Sequence, residues 1–344
     1  MVMQQILRAI SVRHSAKFGI YLVVALLAST IMPTGTGANK SDSKAENLLE
    51  KAERLTDIRS PGSSSFHLTA TLKLYDDKGV ATDGTYDLLW KLPTLWRDEI
   101  RLPGFSQTRV AATDRIYIMR NPRWLPLEIY NLRKLLEFPR SIRWSSDAAG
   151  RKLKEKKTET SREKSIEISV DGNPWKKLYL DWTSGIPTRV EYVGGHTEQR
   201  FQDYAEFAGH QFPRVLAEFN SNKPTMEVRV TQLDPANPQD SVFVHADGAG
   251  WMHWCSNPVP AKLTAMDQGF ALPPSIPSSL WRRPFIVDGI IGTDGQWQNL
   301  VIVKSADKEV DALWLAVLRR QRYLPARCGS TPIEEERVQE LRLR

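Results

Sequence analysis

The side chains that most often carry chemistry occur in this sequence without the spacing that a reactive site needs. None of the six histidines pairs with another histidine or an acid at metal-ligand spacing. They are His14, His67, His196, His210, His245 and His253. No G-x-S-x-G element prepares a serine nucleophile, and "GTDG" at residues 292–295 is too short for a nucleotide loop. We therefore expect a protein that is not an enzyme and that has no catalytic, cofactor-binding or metal-binding residues.

The two cysteines, Cys255 and Cys328, are the one pair of side chains that does suggest a reaction. In an oxidising compartment an isolated pair is a disulfide candidate, and the alternative is two buried free thiols. His253 and Cys255 lie close in sequence, but two ligands are too few for a metal site. We favour the disulfide, because the start of the chain has the features of an export signal.

The export features lie in residues 1–38. Arg8, Arg13 and Lys17 precede an apolar run at residues 18–32, and small residues follow up to Ala38. A membrane-spanning helix usually needs about 20 apolar residues, so this run is short. Residues 1–38 are therefore predicted to be either a cleaved signal peptide or a retained membrane anchor. Both alternatives place the rest of the chain outside the cytoplasm.

Composition and charge bound the remaining possibilities. The chain has 344 residues, which is enough for two domains, and 41% of them are hydrophobic. The formal net charge is +7, and the charges beyond the first segment are mixed in sign. A nucleic-acid footprint needs clustered basic residues, so we expect no nucleic-acid partner.

Residues 42–247 are predicted to form a β-rich domain. After an amphipathic helix, Phe66, Leu68, Ala70 and Leu72 alternate with polar residues, which is typical of a strand with one buried face. Turn signals then recur about every 8–12 residues, which favours an antiparallel meander. Residues 248–283 are rich in proline, glycine and serine and are predicted to be a linker.

Residues 284–344 are predicted to form a small β-β-α-β domain. Asp294 and Gly295 mark a tight turn between two apolar strands. A helix follows, with Asp307 as its N-cap and an apolar face that includes Val310 and Leu318. The fold class is therefore predicted to be α+β, with an antiparallel β-rich domain followed by this smaller unit.

The last unit carries a recognisable combination of residues. These are residues 291–295 (IGTDG), residues 298–300 (QNL), Val303 with Ser305, Ala316-Val317, Arg322-Tyr323-x-Pro325-Ala326, and then Gly329 and Pro332. In this combination the unit resembles the TonB C-terminal domain family. The resemblance implies a periplasmic module that binds a partner, such as an outer-membrane receptor, by β-augmentation.

The final strand of this unit is the candidate for partner pairing. Its candidate residues are Ile333, Glu335, Arg337, Val338, Gln339, Leu341 and Leu343. Charges along an edge strand suit guarded pairing, since they deter indiscriminate aggregation. The alternative is that these charges only keep the edge soluble.

The middle region carries a second, weaker pattern. A helix precedes the first strand, and "LYLDWTSGIPTRVEYV" at residues 178–193 and "FQDYAEFAGHQFP" at residues 201–213 follow. In these stretches it is similar to the LolA-like family of periplasmic lipoprotein carriers. That resemblance implies an unclosed half-barrel whose concave face holds an acyl chain. The candidate lining residues are Trp90, Leu92, Trp96, Ile100 and Tyr117, and the alternative is that they are ordinary core.

Both resemblances imply the periplasm of a Gram-negative-type bacterium. The leading interpretation is an exported envelope interaction protein that binds a partner protein by β-augmentation and an apolar ligand in its LolA-like domain. One alternative is a membrane-anchored TonB-type energy transducer that works with a motor complex for outer-membrane transport. Another is a periplasmic carrier of lipid or lipoprotein. The sequence leaves the partner, the ligand and the oligomeric state open.

Overall fold

The fold is built on one large antiparallel sheet with helices on its buried face. The computed structural model describes residues 40–140, 151–157, 163–170, 173–192, 194, 196–265, 277, 280 and 283–342. The sheet strands are β1 Phe66–Tyr75, β2 Ala81–Leu92, β3 Leu95–Leu102, β4 Phe105–Ala112, β5 Arg115–Asn121, β6 Arg151–Lys157, β7 Glu163–Val170, β8 Asn173–Asp181, β9 Pro187–Tyr192, β10 Thr197–Phe207, β11 His210–Asn220, β12 Lys223–Pro235 and β13 Gly250–His253.

The strand order shows two meanders joined by one long-range pairing. It runs β13-β5-β4-β3-β2-β1-β12-β11-β10-β9-β8-β7-β6, so β13 and β6 are the two edges and the sheet is open. The pairing of β1 with β12 joins the two meanders. Every strand pair in the sheet is antiparallel, as the recurring turn signals predicted.

Two helices supply the other half of the core. They are α1 Lys40–Thr56 and α2 Leu127–Leu136. In α1, Ala45, Leu49 and Ala52 follow each other at helical spacing, and all three are buried. They share one hydrophobic core with Phe66 of β1 and Leu132 of α2. The period of two in β1 and of about 3.6 in α1 therefore builds one apolar layer between the sheet and the helices.

The C-terminal region has its own small core. Its elements are β14 Lys262–Ala265, β15 Phe285–Ile291, β16 Trp297–Lys304, α3 Lys308–Arg320, β17 Arg322–Leu324, β18 Ala326–Cys328, β19 Thr331–Ile333 and β20 Glu335–Leu341. The sheet β16-β15-β20 with α3 has the predicted β-β-α-β order, and β14 pairs with β17 and β18 with β19. The Asp307 side chain accepts from the Glu309 N–H at 3.0 Å, so the predicted N-cap is present.

Gly295 has a steric reason to be glycine in this region. Its φ is +73°, in the left-handed region, and an added Cβ would lie 1.9 Å from the Tyr323 carbonyl oxygen. The Tyr323 N–H also donates to the Gly295 carbonyl at 2.9 Å. The tight turn predicted at Asp294 and Gly295 is therefore held against the strand that follows α3.

A buried ion network joins the C-terminal region to the large sheet. Glu336 of β20 accepts from Arg133 Nη1 of α2 at 2.5 Å, and its other oxygen lies 2.8 Å from Arg120 Nη2 of β5. Asp288 of β15 accepts from the Leu125 N–H at 2.8 Å. Residues 39–344 form one compact unit. The division into domains at 42–247 and 284–344 stays a prediction. The structure shows that side chains of the two regions contact each other through this buried network.

The stability that depends on Asp288 is expected to fall as the pH rises from about 4 to about 6. Burial, with Glu336 nearby, raises the pKa of Asp288 to about 6, whereas an unfolded aspartate has a pKa of about 3.9. Between these values the folded chain keeps a proton that the unfolded chain has lost, so raising the pH removes stability. The loss is at most about 3 kcal/mol, because one pKa unit corresponds to about 1.4 kcal/mol.

Asp288→Asn isolates this effect, since asparagine still offers an oxygen to the Leu125 N–H. Urea unfolding of both proteins at about pH 4 and about pH 6.5 measures it. The wild type should lose stability relative to the variant over this interval. Equal changes in the two proteins would contradict the assignment.

The predicted export segment lies outside the described residues. Within the described part of the chain, the helices are too short or too polar to cross a bilayer.

Candidate binding cleft

A cleft opens where the buried face of the large sheet meets the end of α2. The free space between its lining atoms, counted together with the open solvent at its mouth, is about 460 Å³. Strands β2, β3 and β4 form its floor, and Leu136, Glu137 and Arg140 at the end of α2 form one wall. Arg59, which follows α1, and Trp254, which follows β13, complete the rim. Segments that are distant in the sequence therefore converge on one opening.

Aromatic side chains dominate the floor of the cleft. Tyr86 and Trp90 of β2 and Trp96 of β3 are each less than 5% exposed. Trp96 packs edge-to-face on Trp254 with ring centroids 5.0 Å apart, and the Trp254 indole N–H donates to the Pro93 carbonyl at 2.9 Å. Burial raises the pKa of Tyr86 well above its ordinary value, so its phenol is neutral at physiological pH. The aromatic part of the floor is thus closely packed and uncharged.

Charged side chains lie beside these rings, and most are paired. Arg109 Nε donates to Asp98 at 2.9 Å and 3.2 Å, and both side chains are almost fully buried. Burial opposes the charge on Arg109, yet Asp98 raises its pKa above the ordinary value. Arg140 Nε lies 3.6 Å from Asp57 Oδ2, and the Arg140 guanidinium also donates to the Arg59 carbonyl. Each of these ion pairs is neutral as a whole, and together they hold the walls of the cleft in place.

The five predicted lining residues occupy different places. Trp90 and Trp96 lie in the cleft, and Ile100 is fully buried on the same face of β3. Leu92 is 51% exposed at the end of β2. Tyr117 stacks on His245 with centroids 3.8 Å apart, and its neighbour Ile116 occupies the buried face instead. Binding of an apolar ligand by any of these residues stays a prediction.

The predicted partner-binding strand is placed as β20, with Ile333 in the preceding β19. One flank of β20 pairs with β15 throughout. Two side chains of β20 bind the backbone of Ala261: the Glu335 carboxylate accepts from the Ala261 N–H at 2.6 Å, and the Arg337 guanidinium donates to the Ala261 carbonyl at 3.0 Å. Val338 is buried, and Leu343 lies outside the described residues. Gln339 and Leu341 are half-buried along the same strand.

The predicted disulfide between Cys255 and Cys328 is present. The two Cα atoms are 5.7 Å apart, a normal separation for a bridge. It connects the segment after β13 with β18, and the backbone of Val259 pairs with Arg327 beside it. The disulfide therefore ties the rim of the cleft, at Trp254, to the C-terminal region.

Sequence reasoning missed the polar residues of the buried face. Asp98 lies between Trp96 and Ile100 in the alternation of β3 and has the same parity as both. This position alone indicates that the Asp98 side chain lies on the buried face. On β8, Lys176 shares the buried parity of Leu178, and burial lowers its pKa to about 7. Arg59 lies outside the regular elements, so no periodicity could assign it to the cleft.

Comparison with known proteins gives structural similarity without a family assignment. No protein-family model and no curated protein matches the chain. The chain is similar to the LolA superfamily protein NE2245 from Nitrosomonas europaea, at 12% identity over 58% of this chain and 97% of that one, with a TM-score of 0.39. It is also similar to a DUF1329 family protein from Desulfovibrio piger, at 10% identity over 60% and 98%, again with a TM-score of 0.39.

A third similar structure covers more of the chain. It is the complex structure of Pseudomonas aeruginosa MucA/MucB, at 12% identity over 86% of this chain and 94% of that one, with a TM-score of 0.29. All three TM-scores are below 0.5, so these similarities assign the chain to no family. None of the three is named as a TonB protein, and the TonB resemblance of the last unit stays a resemblance.

Proposed function

We propose that the protein is an exported, non-enzymatic binding protein of the bacterial envelope that holds an apolar ligand in the cleft on its large sheet. The observation that carries this proposal is the aromatic floor formed by Tyr86, Trp90 and Trp96, which remains in contact with an opening to solvent. Ligand sites are typically concave and largely apolar, with a few placed polar groups.

The construction of the rim also supports binding. The end of α2 and Trp254 belong to separate segments, and the disulfide and the Glu336 network hold both segments near the sheet. A cleft between packed segments can widen by small movements of its rim, whereas its floor lies on paired strands. An elongated apolar ligand, such as an acyl chain, would therefore enter the narrow cleft by displacing its rim while the floor stays in place.

The TonB-type roles receive less support from the described residues. Strand addition needs free backbone groups along an edge, and β20 is an edge strand of its sheet. The side chains of Glu335 and Arg337, however, already hold the Ala261 segment against this strand. We therefore leave energy transduction out of the proposal. A protein partner in the envelope stays an expectation from the sequence.

Native mass spectrometry of the protein purified from the envelope tests the proposed function. The wild type is expected to carry an apolar adduct that organic extraction removes, and the extracted protein should bind dodecanoate. Leu88→Trp should fill the cleft floor and weaken dodecanoate binding by at least about tenfold, because Leu88 is 2% exposed and lines the cleft. Leu92→Trp, at an exposed position on the same strand, is the matched control.

Both variants must first give the wild-type circular dichroism spectrum. Leu136→Trp, which fills the same cleft from the α2 side, replaces Leu88→Trp if that variant does not fold. Absence of any apolar adduct together with absence of dodecanoate binding would overturn the proposed function.

A further inference from the structure

Three buried hydrogen-bond donors in the cleft have no acceptor. They are Nε of Arg59 and Nε1 of both Trp90 and Trp96. The three side chains are 7%, 3% and 4% exposed, and all three line the same cleft. Among the described residues, no oxygen lies in hydrogen-bonding geometry with these atoms.

Unpaired donors of this kind need an explanation. About 90% or more of buried backbone polar groups, and the large majority of buried side-chain polar atoms, have a hydrogen-bond partner in the protein or in ordered water. A buried donor without a partner in the chain therefore calls for one from outside it. Burial of a donor without a partner costs free energy, because the hydrogen bond to water is lost and is not replaced. Three such donors surround this one opening, where an acceptor from a bound molecule would satisfy them together.

The backbone brings two of the donors side by side. Trp90 and Trp96 are directly opposite each other in the β2–β3 pairing, where side chains on one face lie about 5 Å apart at Cβ. Trp90 stacks on Phe66, with centroids 6.1 Å apart, and Trp96 packs on Trp254. These contacts fix both indole rings, so their N–H groups cannot simply rotate to solvent.

Arg59 adds a positive charge to this pair. The other two guanidinium groups of the cleft, Arg109 and Arg140, lie within 4 Å of Asp98 and Asp57. No carboxylate of the described chain lies within that distance of the Arg59 guanidinium. Glu137 at the α2 wall is the remaining carboxylate of the cleft, so three carboxylates, counting Asp57, balance the three arginines. The cleft therefore has no excess of charge, but it has more hydrogen-bond donors than acceptors to pair with them.

We propose that Trp90, Trp96 and Arg59 form a subsite for an acceptor oxygen, which holds the carboxyl or carbonyl group at the polar end of an acyl ligand. This inference rests on the proposed function and deepens it. All three donors can give a hydrogen bond, and none of the three side chains can accept one. The subsite thus discriminates by hydrogen-bond polarity: it favours acyl carboxylates, esters and amides over amphiphiles whose polar end lacks an acceptor.

Binding of three matched amphiphiles to the protein purified from the envelope tests the subsite. Dodecanoate presents a carboxylate, methyl dodecanoate presents a neutral carbonyl group, and dodecyltrimethylammonium presents no acceptor on the same chain length. Trp90→Phe and Trp96→Phe remove the indole N–H but keep an aromatic ring. Trp251→Phe, at a tryptophan that is 48% exposed outside the cleft, is the control.

We expect Trp90→Phe and Trp96→Phe each to weaken dodecanoate binding by about tenfold, as loss of one hydrogen bond to a charged group does. Neither variant should change the binding of dodecyltrimethylammonium. The control Trp251→Phe should bind all three probes as the wild type does. Equal losses for dodecanoate and methyl dodecanoate support an acceptor site that needs only a carbonyl oxygen. A loss for dodecanoate alone supports a site that also uses the Arg59 charge. If all three probes bind and the variants do not discriminate among them, the subsite is overturned while the proposed function stands. If no probe binds, both are overturned.

Discussion

Replacing Glu336 with alanine is expected to lower the free energy of unfolding by about 3–5 kcal/mol, the usual cost of removing one partner from a buried ion pair. The Glu336 side chain is only 10% exposed, and it faces two arginines, Arg120 and Arg133, that are 6% and 14% exposed. Burial alone would raise the pKa of Glu336, but the two arginines hold it below the ordinary value. Without Glu336, Arg133 would lose its hydrogen-bonded carboxylate, and Arg120 would keep only the longer 3.8 Å contact with Asp288.

Glu340→Ala is the matched control for this prediction. Glu340 lies on the same strand, is exposed, and pairs only with Arg342 at the surface, so its loss should cost less than about 1 kcal/mol. Guanidinium-chloride unfolding of the two variants measures the difference. Similar stabilities of Glu336→Ala and Glu340→Ala would show that the network does not hold the C-terminal region to the large sheet.

Removing the disulfide is expected to have an effect of comparable size. Cys255 and Cys328 are 73 residues apart in sequence, and closing a loop of this length restricts the unfolded chain by about 4 kcal/mol in the chain-entropy model. The double variant Cys255→Ala/Cys328→Ala should therefore unfold at a clearly lower denaturant concentration than the oxidised wild type.

A reductant provides the control for the disulfide. It should lower the stability of the wild type towards that of the double variant and leave the double variant unchanged. Intact mass before and after reduction reports whether the wild type was bridged. A bridged wild type that is no more stable than the double variant would contradict this prediction.

The alternation of residues in the strands predicted much of the fold. Phe66, Leu68, Ala70 and Leu72 alternate with polar residues, and this pattern identified the buried face of β1 correctly. The strand order could not be predicted in the same way. The pairing of β1 with β12 joins residues about 160 positions apart, and the sequence of neither strand indicates which strand it pairs with.

Local sequence patterns predicted only part of the cleft. The resemblance of the middle region to the LolA-like family made Trp90 and Trp96 candidates for the lining, and the structure places them opposite each other in the β2–β3 pairing. Tyr117 was a candidate from the same resemblance, but β5 has apolar residues at both parities, so the alternation of residues could not show which face Tyr117 occupies. Arg59 and Trp254 reach the cleft from irregular segments, and their positions follow from tertiary packing alone.

A crystal structure of the protein with 12-bromododecanoate would show whether the cleft holds an acyl ligand by its polar end. We expect an anomalous bromine signal along the cleft and a carboxylate within hydrogen-bond distance of Nε1 of Trp90 or Trp96. A carboxylate in solvent with the chain in the cleft would contradict the acceptor subsite only. A ligand bound elsewhere, with the Leu88 and Trp254 side chains untouched, would contradict the account as a whole.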